Sequence, residues 1–424
     1  MQGKYKDARS TFQRIAGLQR KHGLGGTHSY YETIRGIAYM HYFLGDKEKA
    51  FALLSEYFRG LDNYSYEVFF TFNERAWHLF LSKFLGSLHD LLGWVVSSAD
   101  QSRYIREAYD LALNFKNRLY DEEFRWKKRY RANPRNPALD EYYRLLSETY
   151  ATSNHDEQYI RQRQIAEEEI SEHPPMVAQR VVTLDQLQRE LTDRELILDY
   201  IYYNTETVFD AFREPERGYL VFVITNHSIR LYDLGPAEDL DDSLEEFYKE
   251  VSFPDRETEY LDQQLLLLKA RIGLFDFAED LEKAEVVYLG TDGKWMPRMP
   301  WQYFFPGQKI SVLPSFAVFD HIKKEANSNT EKSGQIAVFT SADPGNDPWM
   351  DRALQIARAS EVLLDDMIGD RLHIYSGDGI GKAAFLSVRS PYIFHVAAHG
   401  FVSEDAGQVV CMAGEAKCIY LARL

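Results

Sequence analysis

The spacing of apolar residues changes once along the 424 residues, at His173-Pro174-Pro175, and that change divides the chain into two folding regimes. Before it, apolar side chains recur every three to four positions, the period of amphipathic helices. After it, short runs of β-branched and aromatic residues bounded by Gly and Asn alternate with helical patterns. Consecutive prolines end a helix because each lacks the amide hydrogen and clashes with the preceding turn. The expected architecture is an N-terminal α-helical region followed by an α/β domain whose mostly parallel sheet carries helices on both faces.

In YETIRGIAYMHYFLGDKEKAFALLSEYF, small or apolar residues fall at Ile34, Ile37, Ala38 and His41, then after Gly45-Asp46 at Ala50, Leu54 and Tyr57. This spacing predicts two amphipathic helices joined by a tight turn. Ile34, Ile37, Ala38, Ala50 and Leu54 occupy the large and small slots of a tetratricopeptide repeat, so the segment resembles one. GKYKDARSTF, with Ala8 and Phe12, resembles the second helix of a preceding repeat. Ala8 to Ala50 spans 42 residues where about 34 are usual, which requires an insertion near RKHGLGGTHS. The resemblance implies an α-helical solenoid over 1–97 that binds a protein partner. Residues 98–178 read as long charged helices leading to the C-terminal domain, 179–424.

Composition narrows the function classes. Residues 1–175 hold 25 Lys and Arg against 24 Asp and Glu, and the remainder holds 24 against 41, so the formal charge of −16 belongs to the C-terminal part. An acidic domain repels phosphate backbones, so no direct nucleic-acid ligand is expected, while basic protein substrates are compatible with it. The basic residues at 125–131 follow Glu122 and Glu123 and read as a solvated helix face. No apolar run reaches the roughly 18 residues of a membrane span, and MQGKYKDARS lacks the character of a signal peptide. The expectation is a soluble cytoplasmic protein without a membrane partner. Cys411 and Cys418 are the only cysteines, which excludes a disulfide framework and a paired CxxC metal site.

The strongest chemical signal is PYIFHVAAHG, a strand-like run ending in His399-Gly400. It places His399 at the carboxyl end of a central strand, where open α/β sheets carry functional residues. His395 and His399 do not form a metal pair, because four residues of strand span about 13 Å at about 3.3 Å each. No metal and no cofactor are expected. GDGIGKAAF is not a phosphate loop: only three residues separate Gly377 from Gly381, and Ala383 follows Lys382 where Ser or Thr is required. It reads as a turn into a helix.

Several segments in order resemble the CHAT domain, a caspase- and separase-related module often preceded by tetratricopeptide repeats. They are VTLDQLQRELTDRELILDYIYYN, YLGTDGKWMPRMPWQYFF with SVLPSFAVF, FTSADPG, ASEVLLDDMIG and FHVAAHGFVSEDAG, together covering about residues 180–414. The resemblance implies a caspase-like fold and peptide hydrolysis by a Cys-His dyad. Carried over by position, His399 would deprotonate the thiol and later protonate the leaving amine, and the Gly400 N–H would help bind the oxyanion. In caspases the nucleophile lies about 50 residues beyond the histidine, past Leu424, and the family usually supplies it in a Ser-Ala-Cys-Glu-Thr-like strand. Neither Cys411 in GQVVCMAG nor Cys418 in EAKCIYL has that context. The expectation is a CHAT-family cysteine peptidase whose 424 residues hydrolyse no peptide by themselves. A non-catalytic protein-interaction scaffold is the alternative.

Overall fold

The computed structural model describes residues 2–68, 74–116, 181–207, 215–251, 258–313, 315–320, 323 and 324, and beyond these the backbone of six strands between 336 and 421. The chain divides into two compact units, 1–134 with 173–323, and 135–172 with 324–424. Helix and strand are mixed, as the change of periodicity predicts.

In the first unit, α1 (Gln2–Lys21), α2 (His28–Phe43) and α3 (Lys47–Val68) follow one another. The α2–α3 turn passes through Gly45 at φ 85°, the left-handed conformation that glycine adopts without a Cβ clash. Asp46 follows, and its carbonyl accepts the first α3 bond from the Ala50 N–H at 3.0 Å. Ile34, Ile37, Ala38, Ala50, Leu54 and Tyr57 are all buried. Phe12 of α1 lies on Gly36, where an added Cβ would meet its ring at 3.0 Å.

The next helices, α4 (Glu74–Val96) and α5 (Gln101–Phe115), turn toward a sheet. Phe58 and Phe115 hold α3 to α5 with ring centroids 5.1 Å apart, and Tyr109 of α5 meets Phe222 of the sheet at 4.8 Å. The expected boundaries at 98 and 179 therefore do not coincide with the compact units. Buried residues of α1–α5 and of one sheet face make a single hydrophobic core, because the apolar stripe of α5 (Ile105, Ala108, Tyr109, Ala112) points inward.

A short helix α6 (Leu184–Arg189) precedes the sheet and is started by a capping box between Thr183 and Gln186. The strands are β1 (Glu195–Asn204), β2 (Arg217–Ile224), β3 (Ile229–Pro236), β4 (Val286–Gly290) and β5 (Lys309–Leu313), in the order β3-β2-β1-β4-β5. The expectation of a mostly parallel sheet needs correcting here. β1, β4 and β5 are parallel, whereas β1–β2 and β2–β3 are antiparallel, so the sheet is mixed. For β2–β3 the physical reason is the short Thr225–Ser228 turn, closed by a 3.0 Å backbone bond, which can only reverse the chain.

Alternation along β1 and β2 divides the core in two. Ile197, Ile201, Tyr203, Leu220 and Phe222 face α1–α5, while Leu198, Tyr200, Tyr202, Tyr219 and Val221 face the other side. That other side is covered by α7 (Ala237–Val251) and α8 (Thr258–Arg271), followed by the short α9 (Ala278–Lys283). Helices therefore lie on both faces, but one face is covered by the N-terminal α1–α5 rather than by helices that alternate with the strands.

The second unit contains a parallel sheet of β6 (Ile336–Thr340), β7 (Leu372–Ser376) and β8 (Ile393–Ala397) in the order β7-β6-β8. It also contains an antiparallel sheet of β9 (Gly400–Val402), β10 (Val410–Met412) and β11 (Ile419–Leu421).

Candidate functional site

In the second unit, Thr340 is in register with both Ser376 and Ala397, so the carboxyl ends of β6, β7 and β8 are level at one edge. From β6 the chain goes to β7 on one side and returns to β8 on the other. The gap between β6 and β8 is a topological switch point, the place where open sheets hold their ligands outside the carboxyl ends.

β8 ends at Ala397, two residues before His399, which itself lies outside the described residues. Gly400 opens β9 and is paired with Met412. Among the described residues β8 has β6 as its only neighbour, so β6 is the central strand and β8 an edge strand. His395 lies within β8, in register with Val338. Cys411 lies on β10, paired with Phe401 in the antiparallel sheet rather than beside β8. Cys418, the basic residues at 125–131 and the glycine-rich residues at 377–385 fall outside the described residues.

The first unit holds a second switch point. β1 leads to β2 on one side, and the chain crosses back to β4 on the other. Buried charge and aromatic hydroxyls gather around the β1–β4 pair. Lys116, just past α5, donates to Asp199 Oδ1 at 2.6 Å and to the Tyr200 carbonyl at 2.8 Å, with side chains only 8% and 4% exposed for the ion pair. The Tyr109 hydroxyl donates to Asp199 Oδ2 at 3.3 Å. Burial raises the Asp199 carboxyl above the ordinary aspartate value, Lys116 pulls it back, and the charge of Asp292 adds to the rise.

Asp292 follows β4 in Gly290-Thr291-Asp292-Gly293. Its carboxylate accepts from the Tyr202 N–H at 3.3 Å and the Gly293 N–H at 2.8 Å. The Tyr202 and Tyr219 hydroxyls donate to the two oxygens of Asp241 at 2.7 and 2.9 Å, and their rings lie 4.3 Å apart. His89 of α4 meets the Tyr202 ring edge-on at 6.5 Å, and the Arg217 guanidinium lies 5.5 Å from the centre of the same ring. Burial pushes the His89 imidazole down to about 4, so it is neutral at pH 7.

A third polar group ties the layers together. The Tyr39 hydroxyl of α2 donates to Asp90 Oδ2 and the Asn204 amide of β1 donates to Asp90 Oδ1 at 2.8 Å. Burial pushes Asp90 up to about 6, against the opposing hydrogen bonds.

Sequence reasoning missed the first-unit cluster, although one signal was available. VVYLG followed by Thr-Asp-Gly has the same strand-then-polar-turn form that singled out His399. Among the described residues no group of three or more His, Cys, Asp and Glu side chains could hold a metal ion, and no helix is long and apolar enough to cross a membrane. No protein-family model matches the chain, and no curated protein matches it.

Proposed function

We propose that this chain belongs to a CHAT-type cysteine peptidase, with His399 as general base, the Gly400 N–H as an oxyanion donor, and the N-terminal tetratricopeptide-like helices as the surface that recruits a protein partner. The observation that carries the reading is the register of Ala397 with Thr340 at the β6–β8 switch point. It sets the strand preceding His399 at the edge where α/β sheets do their chemistry. A histidine there can take a proton from a thiol and return it to the leaving amine, which divides peptide hydrolysis into acylation and deacylation. The substrate is a protein, and no metal, cofactor or nucleic acid takes part.

Cys411 does not suit the nucleophile's role, because β10 pairs with β9 and β11. The unpaired side of β8 among the described residues is a natural position for a further parallel strand carrying the thiol. Reading the coding sequence past the Leu424 codon tests this directly: a cysteine-bearing strand within about 60 residues of His399 is expected. The longer protein should then cleave members of a peptide library, and His399→Ala should abolish that cleavage. Cleavage by the 424 residues alone that is lost in His399→Ala would overturn the assignment of the thiol. A downstream sequence without a cysteine would favour the scaffold reading, which draws support from the single core shared by α1–α5 and the β1–β5 sheet.

A further inference from the structure

We propose that the carboxyl end of the β1–β4 pair is a second binding site, one that takes an oxyanion, a carboxylate or phosphate group, between Arg217 and His89 beside the Tyr202 ring. This inference stands apart from the peptidase reading and uses none of its residues.

Three observations carry it. The first is topological: this position is the switch point of the five-stranded sheet, the usual place for a ligand in such sheets. The second is the state of the donors. Arg217 is exposed, pairs through its backbone with Asn204, and has no carboxylate partner among the described residues; its guanidinium lies over the Tyr202 ring. His89 is half-buried, and its ring nitrogens have no hydrogen-bond partner among the described residues.

The third observation is the state of the acceptors. Three carboxylates at this end of the β1–β4 pair already have donors. Asp199 is neutralised by Lys116, Asp292 accepts two backbone N–H groups, and Asp241 accepts two tyrosine hydroxyls. Among the described residues, therefore, a guanidinium fork and an imidazole have no side-chain acceptor, while Asp199, Asp292 and Asp241 are each engaged by other donors. A planar guanidinium matches two oxygens of a carboxylate or phosphate. A neutral imidazole adds one N–H donor.

The test is calorimetric titration of the 424-residue protein with inorganic phosphate in one arm and acetate in the other, at low ionic strength. Saturable binding of at least one is expected, and the preferred arm identifies the source of the oxyanion. Arg217→Gln should weaken that binding by about tenfold or more, and His89→Gln by a smaller factor. Arg217→Lys should fall between wild type and Arg217→Gln, since the charge remains and the fork is lost. Lys294→Gln, which removes a neighbouring exposed cation packed on Trp295, should bind as wild type does. Circular dichroism and the unfolding midpoint of each variant establish that it is folded. Non-saturable heats in both arms, equal affinity in folded Arg217→Gln, or equal loss in Lys294→Gln would each overturn the proposal.

Discussion

Replacing Lys116 with Met should destabilise the first unit by about 3–5 kcal/mol, the usual cost of stranding one member of a buried ion pair. The Lys116 ammonium supplies the 2.6 Å bond to Asp199 Oδ1 and also caps the Tyr200 carbonyl at 2.8 Å. Without it, Asp199 keeps one donor among the described residues, the Tyr109 hydroxyl at 3.3 Å, in a site where its side chain is 4% exposed. Met fills nearly the same volume, so the loss measures the charge and its hydrogen bonds rather than a cavity. At about 2–4 °C per kcal/mol for a unit of this order, the midpoint should fall by roughly 10 °C.

The pH dependence gives the sharper check. The folded Asp199 carboxyl is already raised by burial, and Lys116 is the main influence holding it down. Removing Lys116 raises it further. A carboxyl whose folded value lies above its unfolded value takes up a proton on folding, so its contribution is greatest in acid and is lost as pH rises through the folded value. Lys116→Met should therefore be much less destabilised at about pH 5.5 than at about pH 8. The double variant Lys116→Met, Asp199→Asn should recover most of the loss at the higher pH, since a buried pair can be replaced by neutral groups at little cost. Urea unfolding followed by circular dichroism at both pH values measures all three. A single-variant loss below about 1 kcal/mol, a loss independent of pH, or additive losses in the double variant would refute the reasoning.

Three further outcomes follow from the same core. Gly290→Ala would bring a Cβ to 2.3 Å from Asp199 Oδ1 and 2.6 Å from the Phe316 ring, both buried, and should cost about 1–3 kcal/mol by thermal unfolding. Asp90 is held up to about 6, so wild-type stability should fall by about 1–3 kcal/mol as pH rises from about 5 to 7.5, while Asp90→Asn should lose less across that range; identical profiles in paired urea titrations would contradict the assignment. Thr183→Ala breaks the capping box that starts α6 and should cost about 1 kcal/mol in the same assay.

What the sequence discloses here depends on the distance over which each feature is encoded. Ile34, Ile37, Ala38, Ala50 and Leu54 could be placed in a helical core from spacing alone, because an amphipathic stripe is a property of neighbours along the chain, and all five are buried. The strands read from ELILDYIYYN, VVYLG and PYIFHVAAHG were legible for the same reason, although β8 stops at Ala397 before the His-Gly pair. The tie between the helices and the sheet was not legible, because the interactions that unite them are remote in sequence. Asp90 gathers Tyr39 and Asn204, and Lys116 finds Asp199 across a gap of 83 residues; no local period announces either. A lone Asp in a strand such as β1 reads as a break in an apolar run until the lysine that neutralises it is known.

These polar ties bear on how the helical region could act on the rest of the chain. Had α1–α5 been an independent solenoid, its junction with the α/β domain would be a solvated linker with few contacts crossing it. Instead α2, α4 and β1 meet at Asp90, and α5 and β1 meet at the Lys116–Asp199 pair, where a displaced partner would leave a buried charge uncompensated. A partner that shifted α4 or α5 would therefore act on β1 directly and, through the close approach of Asp199 to Gly290, on the start of the Thr291-Asp292-Gly293 turn. Double-variant cycles between Tyr39→Phe and Asp199→Asn distinguish the two cases. Coupling above about 0.5 kcal/mol is expected if the ties work as one network, and strict additivity if each only fastens its own pair of elements.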